Sequence, residues 1–221
     1  MIRFATEYGV FRRLSNLLAI IFLWVGPAQA EPLRLVALGD SLTQGYGLAP
    51  EDGFVPQLQA WLDGQGLAVE VVNAGVSGDT TAGGLSRIEW TLTPDVDALI
   101  VALGGNDMLR GFPPELTRAN LEAIVQAALG RDIPVMLIGM EASNNYGPSY
   151  KAAFDGNYTD LAQHYGLPLV PSFLSAIAEG RTLEEMRGLM QNDGLHPNAQ
   201  GVGLIVAEVG PDIAAWLSTL P

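Results

Sequence analysis

The chain has 221 residues, 11 basic and 24 acidic side chains, a formal net charge of −13 and no cysteine. Such an acidic chain, with Lys151 as its single lysine, excludes nucleic acid and anionic membrane as partners, because both are bound through Lys and Arg. Without cysteine there is no thiol nucleophile or thiolate metal site, and His164 and His196 are too few for a His-rich zinc centre, so the chemistry is metal-free or uses oxygen ligands alone.

Residues 1–30 read as an export signal that is removed. Arg3, Arg12 and Arg13 form a basic start, Leu17 to Val25 a short apolar core, and Ala28-Gln29-Ala30 a small-x-small cleavage pattern. The apolar run falls short of the ~20 residues that span a bilayer, so no stable membrane anchor is expected. Removing three Arg and one Glu with this segment leaves a mature chain of charge −15. Residues 31–221 are expected to form one domain, acting as a monomer in the periplasm or outside the cell.

Within that domain the spacing predicts buried strands at Leu33–Leu38, Val69–Val72, Ala98–Leu103 and Pro134–Ile138, with a weaker fifth at Pro168–Val170. Helical stripes lie between and after them. Phe54, Leu58, Trp61 and Leu62 share one face, as do Leu121, Ile124, Val125, Ala128 and Leu129. Val202, Ile205, Val206 and Val209 form a last stripe, which Gly210-Pro211 is expected to interrupt. Alternating strands and helices predict an α/β fold, a three-layer α/β/α sandwich around a five-stranded parallel sheet. Ligands of such sheets sit beyond the carboxyl ends of the strands.

Four strings punctuate this pattern: GDSL at Gly39–Leu42, NAGVSGD at Asn73–Asp79, GGND at Gly104–Asp107 and DGLHP at Asp193–Pro197. The first three follow apolar runs, and the fourth precedes the last helix, so all four can meet on one rim. Ser41 or Asp40 could simply cap a helix, yet a serine at a helix start also offers its own N–H to an anion. Pro197 keeps His196 out of helical geometry. Gly194 permits a turn through which Asp193 could accept from Nδ1 and leave Nε2 facing the serine. His164 sits in a helical pattern without such a neighbour and reads as a surface or packing residue. Gly78 offers an unobstructed N–H and Asn106 an amide, both suited to an oxyanion, although each also suits a plain turn. Asp107 reads as a loop-fixing residue and a rival to Asp193. Asn73, Ser77, Asp79 and Thr80 are expected to hold the Gly78 loop rigid.

With these strings in this order, the chain resembles the SGNH-type GDSL hydrolases, most closely the bacterial periplasmic thioesterase I/lysophospholipase/arylesterase group. The resemblance covers nearly all of the mature chain. It implies a flavodoxin-like sandwich, a catalytic triad of Ser41, His196 and Asp193, and an oxyanion hole formed by Ser41, Gly78 and Asn106. The G-x-S-x-G elbow of α/β-hydrolases is absent. The implied reaction is hydrolysis of small to medium acyl esters or thioesters through an acyl-enzyme, without a cofactor. Leu109, Phe112, Met140 and Tyr146 are candidate apolar substrate contacts. The alternatives are a carbohydrate O-deacetylase and a catalytically dead binding domain.

Overall fold

A computed structural model describes residues 31–220; the expected signal segment lies outside them. The chain order is β1 (Leu33–Gly39), α1 (Ser41–Gln44), α2 (Phe54–Gly64), β2 (Val69–Gly75), α3 (Thr81–Ser86), α4 (Ile88–Thr91), β3 (Ala98–Ala102), α5 (Gly105–Leu109) and α6 (Pro114–Leu129). There follow β4 (Val135–Ile138), α7 (Pro148–Tyr165), β5 (Leu169–Val170), α8 (Ser175–Ala178), α9 (Leu183–Gly188) and α10 (Ala199–Leu217). The five strands are all parallel, in the order β2-β1-β3-β4-β5. This is the doubly wound, flavodoxin-like order, in which the strand order reverses between β1 and β3 and opens a crevice there.

Burial explains which runs became central strands. Every residue of β3 and β4 is buried, as is β1 from Leu35 onward. Helices α2, α8 and α10 pack together, while α3, α4, α6 and α7 form a second group, so helices cover both faces of the sheet. The edge strand β2 is half exposed. Arg34 of β1 is in register with Glu70 there and bridges it at 3.2 Å. The second strand also runs beyond its apolar residues, because Asn73, Ala74 and Gly75 continue the ladder opposite Ala37, Leu38 and Gly39. The NAGVSGD string therefore begins inside the sheet and ends in a loop.

The last helix corrects the expected interruption, since α10 continues through Gly210 and Pro211 to Leu217. Proline cannot donate to the carbonyl four residues back, at Ala207. Ala207 and Pro211 are both exposed, so water can satisfy that carbonyl while Val209, Ile213 and Trp216 extend the buried stripe. Gly210 is a packing requirement: a Cβ there would stand 2.8 Å from the Trp61 ring of α2. Gly156, in the middle of α7, has nothing within 4 Å of an added Cβ. The same substitution should thus act with opposite signs. In urea unfolding, Gly210→Ala should cost about 1–3 kcal/mol by overpacking, whereas Gly156→Ala should gain about 0.5–1 kcal/mol from helix propensity.

Candidate active site

The sharp turn after β1 is built by its residue types. A side chain at Gly39 would place its Cβ 1.9 Å from Thr43 Oγ1, so only glycine lets α1 fold back over the strand end. Asp40 is the N-cap of α1 and accepts the Leu42 N–H at 3.0 Å. Ser41 begins the helix, and the αL residue Gly45 ends it.

A loop from the other end of the chain meets this turn. Ser41 Oγ lies 2.8 Å from His196 Nε2, and His196 Nδ1 lies 2.6 Å from Asp193 Oδ2. Gly194 takes φ +67°, which lets Asp193 Oδ1 accept the N–H groups of Leu195 and His196 at 2.9 and 3.0 Å. Hydrogen bonding to the His196 ring, followed by those two N–H groups, lowers the Asp193 carboxyl to about 2. An ionised Asp193 only accepts, so Nδ1 carries the proton and Nε2 is free to receive one from Ser41. The loop is clamped by Gln191, which donates from its backbone to the His196 carbonyl at 2.7 Å and from its side chain to the Tyr46 carbonyl at 2.8 Å. The Tyr46 ring packs on the imidazole, 4.8 Å between centroids. His164 lies elsewhere, exposed in the last turn of α7 with its ring edge-on to Tyr165.

Gly78 and Asn106 line the same cavity as the serine. Gly78 takes φ +82°, and its N–H has no acceptor among the described residues. Its loop is pinned from three directions. Ser77 donates to Gln44 at 2.9 Å, Arg110 donates to the Gly78 carbonyl at 2.9 Å, and Arg87 joins Asp79 to the Gly39 carbonyl at 2.8 and 2.9 Å. Thr80 caps α3 through the Gly83 N–H, and Asn73 donates to the Thr43 carbonyl at 3.2 Å. Asn106 is the second residue of α5, which enters through Gly104 at φ +120° under the Tyr158 hydroxyl. The Asn106 amide donates to Asp40 Oδ2 at 3.2 Å. Asp107 is fully buried and accepts the Thr81 N–H at 2.8 Å and the Thr81 hydroxyl at 2.5 Å. It ties α5 to α3 and does not contact His196.

These groups open on a cavity of about 770 Å³. Ser41, Gly78, Asn106 and His196 line it, together with Leu42, Met108, Leu109, Met140 and Ala142, with Leu174, Ala178 and Met186 from the region of α8 and α9, and with Leu195 of the His196 loop. Of the four candidate substrate contacts, Leu109 and Met140 belong to the lining, whereas Phe112 and Tyr146 do not. The Phe112 carbonyl accepts from Tyr150, and Tyr146 stacks on Tyr150 while donating to the Leu109 carbonyl at 3.3 Å. Tyr146 is exposed and Phe112 half-buried. The α8–α9 side of the cavity carries no motif in the sequence. The clamps Arg87 and Arg110 had one signal, the scarcity of basic residues in an acidic chain.

The GDSL-like lipase/acylhydrolase family model matches residues 37–204. "Esterase TesA" of Pseudomonas aeruginosa is 37% identical over 92% of this chain and 98% of its own. "Thioesterase 1/protease 1/lysophospholipase L1" of Escherichia coli K12 is 33% identical over 95% and 92%. The solved structure of AlinE4, an SGNH-hydrolase family esterase, is 41% identical, with a TM-score of 0.70, over 86% of this chain and 99% of that one. Matching along most of its length in sequence, fold order and motif, the chain belongs to the GDSL-like lipase/acylhydrolase family of carboxylic ester hydrolases.

Proposed function

We propose that this protein is an exported serine esterase that hydrolyses small to medium acyl esters or thioesters through an acyl-enzyme on Ser41. The observation that carries this reading is the unbroken relay from Asp193 through His196 to Ser41, at 2.6 and 2.8 Å, opening on an apolar-walled cavity. Ser41 Oγ attacks the carbonyl as its proton passes to His196 Nε2, while Asp193 stabilises the imidazolium. The N–H groups of Ser41 and Gly78 and the Asn106 amide receive the oxyanion. His196 then protonates the leaving alcohol or thiol. Water, deprotonated by the same imidazole, hydrolyses the acyl-enzyme.

The relatives named as an esterase and as a thioesterase and lysophospholipase support the substrate class. The cavity wall supports acyl chains over sugars: its one aromatic residue is Tyr46, which is engaged with His196, so no aromatic platform serves a carbohydrate ester. Export rests on the pattern of residues 1–30 and places the mature enzyme in the periplasm or outside the cell. Among the described residues no helix is long and apolar enough to cross a membrane.

Two outcomes follow for hydrolysis of a soluble nitrophenyl acyl ester. Ser41→Ala and His196→Ala should each reduce turnover by several orders of magnitude, and the double variant should lose little more, because the members act as a unit. Full activity in His196→Ala, with loss in His164→Ala, would overturn the relay. Asn106→Ala should lower kcat by roughly 10²–10³-fold with little change in KM, because its amide acts on the transition state. An effect confined to KM would make Asn106 a substrate-binding residue instead.

A further inference from the structure

Asp40 does more than cap a four-residue helix. The residue is 2% exposed, and its carboxylate divides its two oxygens between different elements. Oδ1 accepts the Leu42 N–H of α1 at 3.0 Å, and Oδ2 accepts the Asn106 amide of α5 at 3.2 Å. Glycine at position 105 leaves room beside the second contact, since a Cβ there would stand 3.3 Å from Oδ2, a tight approach. A serine would cap α1 as well without burying a charge. A buried anion beside a developing oxyanion is electrostatically costly, so what separates Asp40 from an ordinary cap is its hold on Asn106.

We propose that Asp40 is a positioning residue of the oxyanion hole: its carboxylate fixes the Asn106 amide so that one N–H is tied down and the other faces the developing oxyanion. This rests on the oxyanion role proposed above for Asn106. A carboxylate only accepts, so the ionised form forces Nδ2, and not Oδ1, toward Asp40. Were the amide to flip, the Oδ1 lone pairs would confront the oxyanion and the interaction would change sign. Protonated Asp40 has an O–H to donate and no longer forbids that flip. Burial is the main influence raising this carboxyl, to about 6, against the lowering effects of the Leu42 N–H and the Asn106 amide. The titratable groups facing it are His196 from the Asp193 loop, which lowers it, Asp107 from α5, which raises it, and Tyr158 from α7, whose hydroxyl is committed to the Leu103 carbonyl at 2.9 Å. The hold on Asn106 therefore weakens as pH falls through about 6.

Asp40→Ser separates the two duties, because serine keeps the cap and cannot reach Asn106. The expected result is a folded protein with kcat reduced about 10–10²-fold and KM changed little, a fraction of what losing the oxyanion donor itself costs. In the Asn106→Ala background the same substitution should have almost no further effect, since the residue through which Asp40 acts is already gone. A second readout needs no turnover. The Asn106 side-chain amide resonance should titrate with a midpoint near pH 6, and that component should vanish in Asp40→Ser. If Asp40→Ser keeps kcat within about twofold, if its effect is undiminished without Asn106, or if the pH 6 component persists without Asp40, the inference is overturned. Failure of the wild-type protein to hydrolyse any ester or thioester would instead overturn the proposed function, and the amide titration would still decide the role of Asp40.

Discussion

The site depends on β1 being held between β2 and β3 with the three strands ending at one level. Gly39 is in register with Gly75 on one side and Ala102 on the other. The residues that follow the three ends, Ser41, Gly78 and Asn106, therefore arrive at the same rim. Small residues at these ends are a steric demand as much as a motif. A Cβ on Gly75 would stand 2.4 Å from the Gln44 backbone nitrogen, so α1 could not lie across the end of β2. Sheet register and two missing side chains bring the serine to the crevice, and the burial of β1, β3 and β4 holds that register in place.

Around this frame, rigidity comes from polar clamps and not from more core. The side chains of Gln44, Arg87 and Arg110 hold the Gly78 loop, and Gln191 fastens the His196 loop to the Tyr46 carbonyl. The first clamp leaves the Gly78 N–H without an acceptor among the described residues, and the second holds the His196 Nε2 lone pair toward the Ser41 hydroxyl. Preorganised donors of this kind need no reorganisation when charge develops, which is why they stabilise a transition state more than freely turning groups do.

The two carboxylates nearest the relay have opposite relations to stability. Asp193, hydrogen-bonded to His196 and held at about 2, contributes stability above the ordinary carboxyl value that is lost as pH falls toward 2. Its partial exposure keeps that contribution small. Asp40 is raised to about 6, so the folded state binds the proton more tightly than the unfolded chain. Its contribution is fully present below about 4 and is lost as pH rises through 6. At neutral pH the fold carries a buried carboxylate that stability alone would not select, a common mark of a site tuned for chemistry.

Much of the protein was legible in its sequence because the determining forces are local or periodic. Continuous apolar runs mark strands buried on both faces, and their alternation with helical stripes fixes the parallel sheet. Gly, Pro and Asx chemistry marks the turns that carry Ser41, Gly78, Asn106 and the Asp193–His196 pair. Periodicity misread Gly210-Pro211, because only the packing of Trp61 and the exposure of Ala207 show why a helix tolerates both residues there. Phe112 and Tyr146 have the right character for a substrate wall, yet the cavity lining takes Leu109 and Met140 and neither of these two. The α8–α9 wall and the bond between Asp40 and Asn106 join residues far apart in sequence, whose separation carries no periodic or local signature. The sequence by itself determined which residues are chemically able to act and which strand ends present them. The tertiary structure alone decided which of them touch, because hydrogen bonds across 66 or 155 positions are set by sheet register and helix packing and not by neighbours along the chain.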